Sequence, residues 1–489
     1  MSEKNLRILF ISPEAVPFAK TGGLADVSGS LPAALKKLGM NIRMVLPFYR
    51  IVKNRNFYVH PLIDDLEIPL GAEKLISRVM ETKSEEEVPV YLIEREDLYD
   101  RPNLYGSTEG DYYDNLERFT YFAYGALRIA ETLDFKPDIV HCHDWQTGLI
   151  PALLKGPFHS STSFSDTSTV FTIHNIGYQG LFPADRLPMT GLRPDEFFHL
   201  EGIEYWGKIS LLKAGIVYAD AVTTVSEKYA EEIQTPEFGM GMEGILSKRR
   251  TSLFGILNGT DYKHWDPASD PHIHMNYDSK KMEGKQSCKE SLFQELSLDP
   301  AFMKRPLLGV VSRLDAQKGL DLLVSILEDI LRLDVSLVVL ASKDKHIQQE
   351  ILNMKKRAPS RIALFIGFNE PLAHRIIAGA DIFLIPSRYE PCGLTQMYAL
   401  KYGTIPVVRA TGGLEDTITA FNPERGEGNG FKFDLYEPTA LLGAIRQAVE
   451  IFQDPKSWNQ IMANSMKVDF SWNRSAGRYM ELYRSIIKE

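Results

Sequence analysis

Cysteine is scarce. Only Cys142, Cys288 and Cys392 occur in 489 residues, far apart and odd in number. That pattern excludes a disulfide framework and fits reduced thiols in a cytoplasm. Long apolar runs are also missing, and none approaches the roughly 20 residues that span a bilayer. The stretch Met1 to Arg7 is polar and the apolar run after it is one strand long, so neither a signal peptide nor a membrane span is expected. There is no basic excess: 55 Lys and Arg stand against 64 Asp and Glu, a net charge of −9. This argues against nucleic acid or anionic membrane as the main partner, and any cation that meets a phosphate must be local. A dinucleotide fingerprint is absent as well. Gly426-x-Gly428-x-Gly430 is too compressed and follows no strand, and no Walker-type lysine loop occurs. In His141-Cys142-His143-Asp144 two imidazoles share one face of a strand, but no third ligand stands at a recognisable spacing. No metal is expected; His143 and Asp144 read instead as polar groups lining a pocket.

What is present is the composition of a globular chain, 44% hydrophobic and 24% charged, long enough for two or three domains. Apolar strands recur at Leu6 to Ile11, Ile42 to Leu46, Val88 to Ile93, Asp138 to His141, Thr169 to Ile173 and Ala221 to Val225. Helical spacing marks Val27 to Leu38 and Asn115 to Leu133. The Ser- and Thr-rich run Gly156 to Ser168 predicts a mobile surface loop. A second series starts at Leu253, with strands at Leu253 to Leu257, Leu307 to Ser312, Val335 to Leu340, Ala363 to Ile366, Ile382 to Ile385 and Ile405 to Val408. Helical patterns at Leu320 to Leu331, His346 to Lys356, Leu372 to Ala378 and Leu394 to Tyr402 alternate with them. Two blocks of alternating strand and helix predict two doubly wound α/β domains, 1–252 and 253–473, followed by a last helix at 474–489.

The chemistry gathers where strands end. Ser387 to Thr395 joins a buried strand to a helix start, a setting whose free N–H groups suit a phosphate. Gly393 allows close backbone approach. Glu390 in that loop repels a phosphate, so it should face sugar hydroxyls or developing positive charge; an ordinary turn with a capping carboxylate reads the same way. Arg313 and Lys318 follow another strand and are placed to neutralise a diphosphate, or are two solvated charges. His143-Asp144 and His174-Asn175 end neighbouring strands and form a hydroxyl-reading surface. Thr21-Gly22-Gly23-Leu24-x-Asp26 is echoed by Thr411-Gly412-Gly413-Leu414-x-Asp416. The echo suggests one phosphate- or sugar-facing loop per domain, with chance similarity of two Gly-rich loops as the alternative.

Taken together, Lys20 to Asp26, His143-Asp144-Trp145, His174-Asn175 with Tyr178-Gln179-Gly180, Lys213-Ala214-Gly215, Gly241-Met242-Glu243-Gly244, Leu257-Asn258-Gly259, Ser312-Arg313-Leu314 with Gln317-Lys318-Gly319, and Glu390 to Leu394 resemble bacterial glycogen synthase and plant starch synthase. The resemblance runs from the first strand to the last helix. It implies two Rossmann-like domains facing across a cleft, the GT-B glycosyltransferase fold, with the last helix crossing back onto the first domain. It also implies transfer of glucose from ADP-glucose to the non-reducing end of an α-1,4-glucan, with retention of configuration and no metal. Carried over, it makes Lys20, Arg313 and Lys318 the diphosphate cations, with Gly22, Gly23, Cys392 and Gly393 alongside the nucleotide sugar. The backbone of Leu394 and Thr395 takes the distal phosphate. Glu390 faces the anomeric centre, His174 and Asn258 contact the glucosyl group, and Asp26 lies near the nucleoside. Asp144, Tyr105 and Asn175 lie on the sugar and acceptor side.

This chain departs from the pattern at Ala341-Ser342-Lys343-Asp344, where many members have Gly-x-Gly-Asp, and at Phe368, where many have Tyr. Both positions bear on nucleotide preference, which leaves UDP-glucose as the alternative donor. A non-catalytic glucan-binding protein on the same scaffold is the other alternative, disfavoured because the phosphate and sugar positions are filled. Tyr398 stands where related retaining enzymes carry a second Glu. With no carboxylate evident as a nucleophile opposite the leaving group, front-face transfer assisted by the leaving phosphate is expected, with cations stabilising its charge and water excluded by closure.

Overall fold

Strands buried on both faces read as unbroken apolar runs, and such strands pair in parallel with helices on either side. The computed structural model, which describes residues 5–107, 109–313, 316–342 and 345–488, has this plan twice. Its two units are Met1–Gly259 with Trp472–Glu489, and Thr260–Ser471. No described helix is long and apolar enough to cross a membrane.

In the first unit, β1 (Arg7–Ile11), β2 (Asn41–Pro47), β3 (His60–Leu70), β4 (Glu73–Lys83), β5 (Pro89–Glu94), β6 (Ile139–His143), β7 (Ser168–Ile173), β8 (Ala221–Thr224) and β9 (Leu253–Gly255) form one sheet. Its order is β9-β8-β7-β6-β1-β2-β5-β4-β3. Pairing is parallel from β9 to β5, and the β3–β4 hairpin extends the sheet antiparallel. The sequence reading missed that hairpin because its strands mix charged and apolar residues without a clean period. Helix α1 (Gly23–Lys37) ends before Gly39, whose φ of +90° stops it. Helix α2 (Asn115–Thr132) lies almost wholly buried. The chain runs β1, β2, β5 to one side, then returns to β6 on the other side of β1. The loops after β1 and β6 therefore part at a topological switch point, where open α/β sheets bind ligands.

Two expectations change here. Leu253 to Leu257 was expected to open the second domain, but Val222 pairs with Leu253 and Thr224 with Gly255, in parallel. The boundary falls after Gly259 rather than after residue 252, because a short apolar strand can close one series as easily as open the next. The run Gly156 to Ser168 is a surface turn, yet Phe158 and Phe164 in it are buried and pack edge to face at 5.9 Å. The last helix, Trp472–Ile486, packs on α1. Its Tyr483 hydroxyl lies 2.8 Å from His141 Nδ1, and its Ile486 carbonyl accepts from the Ser168 hydroxyl at 2.6 Å.

In the second unit, β10 (Leu307–Arg313), β11 (Ser336–Ser342), β12 (Ile362–Ile366), β13 (Ile382–Ile385), β14 (Ile405–Arg409) and β15 (Phe431–Phe433) form an all-parallel sheet ordered β12-β11-β10-β13-β14-β15. Val310, Leu337, Val339, Ile382, Leu384 and Val407 fill its core. The pattern at Leu320 to Leu331 forms two short helices, Leu320–Ser325 and Leu327–Leu331, broken at Ile326. Helix α3 (Thr395–Lys401) follows β13, and α4 (Gly412–Thr417) follows β14. The switch point lies between β10 and β13.

Candidate active site

At the first unit's switch point the buried carboxylate of Glu14 organises the loop after β1. It accepts hydrogen bonds from the Thr21 hydroxyl (2.8 Å), the Tyr105 hydroxyl (2.9 Å) and the backbone of Thr21 and Gly22. Burial raises its pKa despite these donors. Sequence reasoning passed over Glu14; the only sign of it is an acid three residues past a strand end. Through Glu14 the loop carrying Lys20, Gly22 and Gly23 is tied to Tyr105. Lys20 pairs with Asp26 at 2.7 Å on a half-exposed surface. Gly22 and Gly23 would give a Cβ no neighbour within 4 Å, so the space above them is open.

The loop after β6 begins with Asp144 at φ +55°, a left-handed backbone that costs roughly 1–3 kcal/mol and clusters at working sites. Its carboxylate accepts from the His174 N–H at 2.7 Å. Burial pushes Asp144 up to about 7, against the pull of the backbone N–H groups of His174 and Asn175. His174 Nε2 lies 3.0 Å from His143 Nδ1. Burial brings His174 down to about 3, so its ring is neutral. Thus Tyr105, Asp144, His174 and Asn175 gather with the loop after β1. Asn258 stands apart beyond β9, buried, with its Oδ1 unpartnered among the described residues. Lys213 is not in this group: its ammonium is held by the carbonyls of Leu200 (2.6 Å) and Glu204.

In the second unit the loops after β10 and β13 are zipped together. The Arg388 N–H donates to the Gln317 carbonyl at 2.7 Å. Lys318 Nζ lies 2.9 and 2.7 Å from the two oxygens of Glu390, and the Ser387 hydroxyl donates to Oε2 at 2.9 Å. The sequence points Glu390 at sugar hydroxyls or developing positive charge; in the structure its buried carboxylate meets Lys318, since a buried charge requires a partner. Gly319, at φ +67°, lets the chain pass Pro386, whose carbonyl would lie 1.9 Å from a Cβ. Cys392 is buried, and Gly393 sits at φ +72° where α3 begins. Arg313 ends β10 and is exposed.

The echoed motif is corrected here. Thr411-Gly412-Gly413 does not offer its glycines to a ligand. A Cβ on Gly412 would lie 1.9 Å from the Glu390 carbonyl, and one on Gly413 2.1 Å from that of Cys392. The Gly413 N–H donates to the Glu390 carbonyl at 3.1 Å. The loop buttresses the Glu390 backbone from behind. Leu314, Lys343 and Asp344 lie outside the described residues. Tyr398 stacks on Trp265 with centroids 4.1 Å apart, a packing role at that position. Among the described residues no group of three or more His, Cys, Asp and Glu is placed to hold a metal.

Known proteins are similar to this chain over its whole length. A family profile described as the starch synthase catalytic domain matches residues 7–248, and one described as glycosyl transferases group 1 matches 297–465. The glycogen synthase of Geotalea daltonii is 45% identical over 99% of both chains, and that of Moorella thermoacetica 45% over 99% of this chain and 98% of its own. The catalytic domain of starch synthase IV from Arabidopsis thaliana, solved bound to ADP and acarbose, aligns with a TM-score of 0.91 at 32% identity, covering 99% of each chain. Sucrose-phosphate synthase from Thermosynechococcus elongatus, at 16% identity and a TM-score of 0.60, shares the fold, two Rossmann-like domains of the GT-B type. On the strength of full-length similarity at this identity, the chain belongs to the glycogen synthase and starch synthase family of glycosyltransferases.

Proposed function

We propose that this protein is a glycogen synthase transferring glucose from ADP-glucose to the non-reducing end of an α-1,4-glucan, with retention and without a metal. The observation that carries the reading is the Lys318–Glu390–Ser387 cluster, set at the carboxyl ends of β10 and β13 beside the start of α3. A cation there meets the charge that grows on a departing diphosphate, the interaction that lowers the barrier most. In this reading Arg313, Lys318 and Lys20 neutralise the diphosphate, and the backbone at Cys392, Gly393, Leu394 and Thr395 holds its distal end. Gly22 and Gly23 let it approach, and Asp26 lies by the nucleoside. Glu390 holds Lys318 in place and stabilises positive charge at the anomeric carbon. His174 and Asn258 touch the glucosyl group, while Asp144, Tyr105 and Asn175 serve the sugar and acceptor. Transfer proceeds on the front face, with the leaving phosphate taking the acceptor proton.

The partners are ADP-glucose and the glucan, with no role for nucleic acid or membrane. Three free, buried cysteines suit a cytoplasmic enzyme. Phe368, 85% exposed at a position where the resemblance implies Tyr, keeps UDP-glucose as the competing donor. The test is incorporation of labelled glucose into glycogen from each donor, with and without EDTA. ADP-glucose is expected to give the higher kcat/KM, unchanged by chelation. A higher value for UDP-glucose overturns the donor, and EDTA inhibition reversed by a divalent ion overturns metal independence. No incorporation from either donor overturns the catalytic reading.

A further inference from the structure

His143 is fully buried, with its ring 4.3 Å from that of Phe10 and 4.1 Å from that of His141. Its Nδ1 lies 3.0 Å from His174 Nε2, and its own Nε2 is buried with no hydrogen-bond partner among the described residues. His141 cannot supply one, because both its nitrogens are engaged: Nε2 lies 2.7 Å from Thr172 Oγ1 and Nδ1 2.8 Å from the Tyr483 hydroxyl. A bond between two neutral imidazoles needs one N–H and one lone pair. If His174 donates from Nε2, then His143 carries its proton on Nε2, an N–H buried with no acceptor. If His143 donates from Nδ1, only a bare lone pair is left there. Orphaned buried N–H groups are rarer than under-used acceptors, so the second arrangement prevails. Burial keeps both rings neutral, with His143 well below the usual histidine range.

We propose that His143 is a positioning residue that fixes His174 as the Nδ1–H tautomer, so that His174 presents a neutral N–H donor to an oxygen of the transferred sugar. The identity of the ring nitrogen that carries the proton is set by what the other nitrogen meets, and here that partner is His143. A neutral donor also suits a sugar whose anomeric carbon gains positive charge, which an imidazolium would repel. The functional half rests on the reading of His174 as a glucosyl contact; the tautomer does not.

The experiment is long-range 1H–15N correlation on histidine-labelled full-length protein, with His174 assigned from His174→Ala. It is read alongside kcat and donor KM for His143→Leu and His143→Asn. Asn places an N–H donor where Nδ1 stands, and Leu has the same shape without it. The wild-type spectrum is expected to show His174 protonated on Nδ1, retained in His143→Asn and lost in His143→Leu. Turnover should fall roughly 10–100-fold in His143→Leu with donor KM little changed, the range seen when a partner that orients a functional ring is removed. Asn should restore most of it. A wild-type His174 protonated on Nε2, or equal turnover in the Leu and Asn variants, overturns the proposal. Near-normal turnover in His174→Ala, with the expected tautomer, instead overturns the reading of His174 and confines His143 to a structural role.

Discussion

Thr21-Gly22-Gly23-Leu24-x-Asp26 and Thr411-Gly412-Gly413-Leu414-x-Asp416 share a spelling and each follows a parallel strand, yet their glycines face opposite surroundings. The first leaves its glycines open and ties its threonine to Glu14. The second closes its glycines on the carbonyls of Glu390 and Cys392. One pair of glycines borders open space; the other makes room for the backbone that carries Glu390. The same division runs through the buried polar groups. The first unit buries groups that burial pushes toward neutrality, among them Asp144, His143 and His174. The second unit also pushes a buried group toward neutrality, Lys285 to about 8, but at its strand-end loops it buries compensated charge, Lys318 with Glu390 at 2.7 Å. Neutral donors and acceptors fit a sugar, and fixed cations fit a diphosphate.

The sharpest test of this contrast is Glu390→Gln. It should keep or improve ADP-glucose affinity by calorimetry while single-turnover transfer falls on the order of a thousandfold, the upper range for one preorganised electrostatic contact. Near-normal turnover would leave Glu390 as a counterion for Lys318 and nothing more. Lys318→Ala should lower kcat roughly a hundredfold and destabilise the fold by about 3 kcal/mol, since it strands a buried carboxylate. Combining it with Glu390→Gln should recover the stability but not the activity, and a change confined to donor KM would make Lys318 a binding group only.

The glycine pairs separate next. Gly412→Ala meets both φ +45° and a carbonyl at 1.9 Å, and should cost about 3 kcal/mol in thermal unfolding together with lost turnover. Gly22→Ala should change stability by less than about 0.5 kcal/mol and show itself only as a raised donor KM. Equal effects from the two would erase the distinction.

The smallest expected effect is a slope. Asp144 holds its proton more tightly folded than unfolded, its pKa lying at about 7 against 3.8. Its contribution to stability therefore falls as pH rises from about 4 to about 7 and levels off above. Asp144→Asn should flatten that part of the profile in denaturant titrations across the range. An unchanged profile would show that Asp144 is already ionised in the fold.

The sequence by itself determined the two α/β series, the loops that join strand to helix and the family. These are local signals: apolar runs, helical spacing and fixed spellings that survive without knowing what lies nearby. It misplaced the first boundary, because β9 is short and only its pairing with β8 says which sheet it joins. The tertiary structure alone decided the rest. Glu14 meets Tyr105 across 91 residues, Lys318 meets Glu390 across 72, and His143 meets His174 across 31. No periodicity encodes such pairs. They form because folding removes water from each polar group at once, and each then takes whichever partner the sheet brings within reach.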